Sequence, residues 1–135
     1  MRCQALTLGA AFLYDALGSA GESDRTRQPS GLATAPAGAH ATANPYEGDG
    51  EAVRAGQKLF VRHCAECHGE NAQGTAGAPR VSSQTVKRAS PGDVFWFLTN
   101  GNRRAGMPSW SRLPETRRWQ IVAFLKSLDA TPTPP

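Results

Sequence analysis

Five residues limit what this chain can become more than any others: Cys64-Ala65-Glu66-Cys67-His68. Two thiols three positions apart, with an imidazole directly after the second, form the C-x-x-C-H pattern by which a c-type haem is attached. Each thiol can add to one of the two vinyl groups of the porphyrin. The two thioethers then fix one edge of the ring to the backbone, and His68 can bind the iron from one face. Three other uses of the same residues compete. A thioredoxin-like C-x-x-C needs a preceding strand in a βαβ context, whereas the residues before Cys64 read as helix. A zinc site needs four ligands, and here His63, Cys64, Cys67 and His68 crowd into six positions with no second cluster. A disulfide between Cys64 and Cys67 would close a tight, strained loop.

A second feature favours the haem. Gly106-Met107-Pro108 places a thioether 39 positions after His68, enough chain to pass the ring edge and return on the other face. A thioether is a soft ligand for haem iron, and Met/His ligation raises the reduction potential. The competing use is ordinary core filling. Against it, Pro108 removes a donor and biases Met107 toward extended backbone, so Met107 is expected on an irregular loop rather than in a helix.

At 135 residues the chain allows one small folded domain with extensions. A hydrophobic fraction of 39%, with 14 Gly and 10 Pro, implies a thin core and much irregular backbone. A covalently held, largely apolar group would thicken such a core. Residues 1–20 read as a weak secretory signal: Arg2, an apolar run from Ala5 to Tyr14 broken by Asp15, then Gly18-Ser19-Ala20. The run is about half of what a membrane-spanning helix needs. Residues 21–44 contain one large apolar side chain, Leu32, so they are expected to form a flexible linker. His40 within it is expected to be solvated. The folded domain is expected over 45–130, with a proline-rich tail at 131–135.

Within 45–130 the pattern is helical, with no alternating strand. Glu51 to His63 predicts a helix capped by Asp49 or Gly50, with Val53, Gln57, Phe60 and Val61 on one face. Gly56 lies one turn before Phe60. Mid-helix glycine costs roughly 1 kcal/mol against alanine, so it points to a close helix–helix approach. Residues 69–79 read as a loop. Ser90-Pro91-Gly92-Asp93 opens a middle helix as cap, first turn and capping-box partner. Val94 to Leu98 is apolar throughout, which implies contacts on several sides, and Asn100-Gly101 stops it. Trp96 could donate its indole N–H to a haem propionate or simply pack in the core. A last helix runs from Leu113-Pro114-Glu115 to Leu128, with Trp119, Ile121, Val122, Phe124, Leu125 and Leu128 as a broad apolar stripe.

From about Glu51 to Leu128 the chain resembles a class I monohaem c-type cytochrome, the small bacterial cytochrome c domain. The residues that carry the resemblance are the C-x-x-C-H motif, Met107 in its Gly-Met-Pro setting, Gly56 and Phe60 one turn apart, and Phe124 in the last helix. The resemblance implies an all-α fold of about three main helices, with long loops wrapped around one covalently attached haem c. It implies that Cys64 and Cys67 anchor the haem, that His68 and Met107 bind its iron, and that the Pro79 carbonyl receives the ring N–H of His68. Arg80 would then neutralise a propionate or remain a plain surface arginine. Export to the periplasm follows too, since bacteria attach haem to this motif outside the inner membrane.

The implied function is one-electron transfer in a periplasmic respiratory or dehydrogenase-linked chain, without enzymatic activity of its own. A haem subunit of a larger oxidoreductase complex and, further off, a haem sensor or peroxidase-like enzyme with a labile Met107 are the alternatives. The net charge of +4 lies beyond residue 44, where 12 Lys/Arg face 8 Asp/Glu. Arg103, Arg104, Arg112, Arg117 and Arg118 flank Met107. The expected partners are therefore redox proteins with an acidic docking surface, not nucleic acid. The expected state is a monomer or complex subunit with no transmembrane span.

Overall fold

The computed structural model describes residues 31–128. The expected signal at 1–20 and the tail at 131–135 lie outside the described residues. Six α-helices follow one another: α1 (Ala37–His40), α2 (Gly50–His63), α3 (Ala65–His68), α4 (Gln84–Arg88), α5 (Pro91–Asn100) and α6 (Glu115–Ser127). Among the described residues no strand occurs, only two isolated bridges, Thr75–Ala78 and Asn102–Met107. The all-α expectation therefore stands.

The scaffold is the contact between α2 and α6. The Asp49 side chain accepts from the amides of Glu51 and Ala52 and so caps α2. Ala52, Gly56 and Phe60 are its buried residues, spaced one turn apart as a helix face requires. A Cβ built on Gly56 would lie 1.9 Å from the Gln120 carbonyl oxygen and 2.9 Å from the Phe124 Cβ. Only glycine lets the two backbones approach this closely. One turn on, Phe60 and Phe124 meet with ring centroids 5.3 Å apart and planes tilted by 52°, a favourable aromatic geometry. The expected face was drawn slightly off: Val61 is 48% exposed, because it follows Phe60 by one residue and turns about 100° away from α6.

Helix α5 carries a complete capping box: the Ser90 hydroxyl accepts from the Asp93 amide, and the Asp93 carboxylate accepts from the Ser90 amide. Phe95 stacks on Trp119 with centroids 3.9 Å apart, joining α5 to α6. The stripe expected on α6 is wider than a stripe, since Ile121, Val122, Ala123, Phe124 and Leu125 are consecutively buried. Helix α6 runs through the middle of the core, with α2, α4 and α5 around it. Helix α4 carries no apolar periodicity long enough to announce it. The Ser83 hydroxyl caps it at Val86, and two lysines bind it to α6. Lys126 donates to the Ala89 carbonyl at 2.6 Å, and Lys87 donates to the Leu128 carbonyl at 2.8 Å.

Residues 31–44 differ from the detached linker expected of them. A 3₁₀ turn at Gly31–Thr34 and the short helix α1 both lie against α5. Asn44 is buried and donates to the Trp119 carbonyl at 3.1 Å. His40 Nδ1 sits 2.8 Å from a carboxylate oxygen of Asp93. The segment has little apolar surface of its own, and hydrogen bonds to α5 and α6 hold it in place instead.

Two predictions follow from this packing. Gly56→Ala is expected to lower unfolding stability by about 3 kcal/mol through overpacking, although helix propensity alone would raise it by about 1 kcal/mol. A urea titration distinguishes these, and an unchanged or raised midpoint would contradict the close approach. Burial pushes the Asp93 carboxyl up, but hydrogen bonds from His40 and Ser90 outweigh it and hold the group below its usual range. Its stabilisation is thus present above the ordinary carboxylate range and lost as pH falls through the lowered value. Asp93→Asn should cost about 1 kcal/mol at neutral pH and flatten part of the acid limb of the stability curve.

Candidate haem site

Helix α2 ends at His63, and Cys64 lies between it and the single turn of α3. That turn carries Cys67 and His68. Cys64 is half-buried and Cys67 exposed, and both are free thiols. Burial, and then the neighbouring Cys67, push the Cys64 thiol up to about 11, so as a free thiol it is protonated at neutral pH.

After α3 the chain turns back on itself through Gly69, at φ +77°. The His68 carbonyl accepts from the Gly74 amide at 2.8 Å. The Thr75 hydroxyl donates to the Cys67 carbonyl at 2.7 Å. The Ala72 carbonyl accepts from the amides of Val81 and Ser82. These closures bring Pro79 beside His68, whose Nδ1 lies 2.8 Å from the Pro79 carbonyl oxygen. A carbonyl can only accept, so Nδ1 carries the proton and the imidazole lone pair is on Nε2. The ring is thereby held in one tautomer.

Met107 is held with similar economy of means. Asn102 and Met107 exchange two backbone hydrogen bonds, each of 2.9 Å. Between them lies a 3₁₀ turn, Arg103–Ala105, capped by the Asn102 side chain, and Gly106 follows in the left-handed conformation. The Ser109 hydroxyl donates to the Thr99 carbonyl at 2.6 Å, and the Trp110 amide donates to the Leu98 carbonyl at 3.1 Å. The loop is thus tied back to α5.

His68 and Met107 line the same cavity, of about 470 Å³. Its other walls are mainly apolar and come from every side: Val86 of α4, Val94 and Leu98 of α5, and Leu125 of α6. A second cavity of about 330 Å³ shares His68, Pro79 and Met107 with the first and adds Cys64, Cys67 and Trp110. His63 and Trp110 pack beside it with ring centroids 5.4 Å apart. Arg80 borders the larger cavity, and its Nη1 is buried without a hydrogen-bond partner. An unpaired buried guanidinium nitrogen is costly, and an anionic group entering the cavity would relieve it.

All five residues expected at the site, Cys64, Cys67, His68, Pro79 and Met107, border one or both of these cavities, which share three lining residues. Phe97 of α5 lines the larger cavity and Trp96 does not. Arg118 leaves the expected basic patch: it lies over the Phe95 ring and donates to the Leu113 carbonyl and Thr99 hydroxyl. Arg103, Arg104, Arg112 and Arg117 remain exposed. Leu32, Val81 and Val86 were not foreseen as wall residues. Ser83 three positions before Val86 was the one local sign of a capped turn there. Among the described residues no three His, Cys, Asp or Glu side chains gather as a metal cluster.

An all-helical shell around an apolar cavity, with a C-x-x-C-H turn at its edge, is the architecture of a c-type cytochrome domain. Residues 51–125, more than half of the chain, match the family described as cytochrome c oxidase, cbb3-type, subunit III, and the chain belongs to that family. Among its relatives is the cbb3-type cytochrome c oxidase subunit FixPc of Rhizobium leguminosarum bv. viciae, 33% identical over 79 residues. That match covers 56% of this chain and 28% of the relative. The CcoP subunit of Azospirillum brasilense is 36% identical over 94 residues, covering 63% of this chain and 31% of that one. Among solved structures, cytochrome CL of the methylotroph Methylophaga aminisulfidivorans MPT superposes with a TM-score of 0.57 at 27% identity. It is matched over 64% of this chain and 59% of its own.

The chain spans under a third of the length of these curated relatives. Family membership agrees with haem c electron transfer and with an exported, periplasmic location. It overturns the expected partner set. The relatives are subunits of an oxidase, and most of their length lies outside the match. The expectation of a free carrier with no transmembrane span is corrected on that ground, whereas the alternative of a subunit in a larger complex agrees with these relatives. Among the described residues, no helix is long and apolar enough to cross a membrane.

Proposed function

We propose that this domain carries one haem c, bound covalently through Cys64 and Cys67, and relays single electrons as part of a cbb3-type oxidase subunit. The observation that carries this reading is that His68 and Met107 border one apolar cavity while the His68 ring is anchored from behind by the Pro79 carbonyl. When bound, the haem supplies the one-electron change of its iron between ferric and ferrous. The chain's own residues do the rest. Cys64 and Cys67 would hold the haem by thioethers, each S–H adding across one vinyl group, and His68 Nε2 and the Met107 sulfur would be the ligands to its iron. The bond from Nδ1 to Pro79 raises the basicity of the imidazole and fixes its orientation. Arg80 offers its unpaired Nη1 to a propionate. With His68 and Met107 both engaged, a bound haem would keep no free site for oxygen or peroxide, and the domain would deliver electrons rather than make bonds. The closed Asn102–Met107 loop supports a firmly held sulfur over a labile one.

Optical spectra of the oxidised and reduced protein, matured with haem-attachment machinery, test this. The ferric protein should show the charge-transfer band of Met-bound haem, and Met107→Ala should abolish it. A spectrum unaffected by that change would refute the ligand assignment. Gly101 offers an independent check. A Cβ there would lie 2.5 Å from the Pro108 carbonyl oxygen, and Gly101 has φ +70°. Gly101→Ala should therefore displace the Met107 loop and weaken the same band while helix content is retained.

A further inference from the structure

We propose that residues 31–44, which precede the matched family region, form a strap that closes the haem cavity and raises the reduction potential by keeping it dry. The inference rests on the haem reading above. Leu32 lines the cavity together with His68 and Met107 and packs against the buried core. Three ties hold it there. The backbone of α1 lies directly on α5: a Cβ on Gly92 would sit 1.8 Å from the Ala39 carbonyl oxygen and 2.9 Å from that of Thr42. His40 Nδ1 meets Asp93 at 2.8 Å, and Asn44 donates to the Trp119 carbonyl. Each anchor point belongs to α5 or α6, the helices that also wall the cavity. The strap is itself ordered by short-range bonds, from the amides of Ala39 and His40 to the Pro36 carbonyl and from Ala41 to Ala37. Oxidation adds a positive charge at the iron, and an apolar, water-free surrounding disfavours that charge. Solvent access and burial are among the protein's levers on haem potential. Lifting Leu32 away admits water and favours the ferric state.

Two variants of the full haem-loaded chain test the strap. Gly92→Ala puts a methyl where the Ala39 carbonyl lies, yet suits α5 as a helix. Leu32→Ser leaves the three ties alone and makes the wall polar. The measurements are amide hydrogen exchange over residues 39–42, the reduction potential by equilibrium titration, and the Met-bound ferric band. Gly92→Ala should abolish exchange protection over 39–42 and shift the potential downward with the band retained. Leu32→Ser should lower the potential with protection retained. Protection absent in the parent protein, or lost in Gly92→Ala with an unchanged potential, would overturn the strap and leave the haem reading intact. Should Gly92→Ala fail to fold, an unchanged potential in Leu32→Ser overturns it alone. A parent protein lacking the Met-bound band would instead strike the haem reading, and the strap with it.

Discussion

The rest of the molecule depends on the backbone contact between α2 and α6 at Gly56. Because glycine removes the side chain there, the Gln120 carbonyl comes within a distance that no Cβ would tolerate. Phe60 and Phe124 then pack one turn further along. That contact aims the C-terminal end of α2, and with it Cys64, Cys67 and His68, at the space bounded by α5 and α6. If the two helices stood further apart, the thiols and the cavity would lose their common geometry, whatever the motif.

Of the two residues that border the larger cavity as candidate ligands, His68 sits on the single turn of α3 and Met107 on a loop, neither on the long helices of the scaffold. Loops hold a position only when their backbone groups are satisfied, and here the closures are local. The loop from Gly69 to Ser82 folds onto the carbonyls of Cys67, His68 and Ala72. The Met107 loop closes on Asn102 and is tied to Thr99 and Leu98. An electron carrier needs its ligation unchanged in both oxidation states. Short hydrogen-bonded closures resting on packed helices suit that need better than long mobile loops would.

Much of this was legible in the chain. The capping box at Ser90 and Asp93, the Asp49 cap and the close approach at Gly56 depend on local order or on residue types with few other uses, whereas the link from His68 to Pro79 was implied only by the family resemblance. Val61 was misplaced because an apolar residue type does not say which way its side chain faces when its neighbours are apolar as well. The segment 31–44 read as a linker because composition measures apolar area, whereas Asn44, His40 and the Ala39 carbonyl are held by contacts to residues roughly fifty to eighty positions away. Helix α4 left only the Ser83 cap as a sign in the sequence, because the lysine bonds that tie it to the end of α6 join residues about forty positions apart.

By itself the sequence determined the all-helical class, the attachment motif, and the soft and imidazole ligands available to a haem. These are matters of residue type and short spacing, which survive any arrangement of the chain. Only the tertiary structure decided that His68 and Met107 border one cavity, that Arg80 is left with a buried unpaired nitrogen beside it, and that Leu32 forms part of its wall. The physical reason is that burial and hydrogen-bond satisfaction belong to surfaces assembled from distant segments. No single stretch of chain carries that information until α2, α5 and α6 have packed.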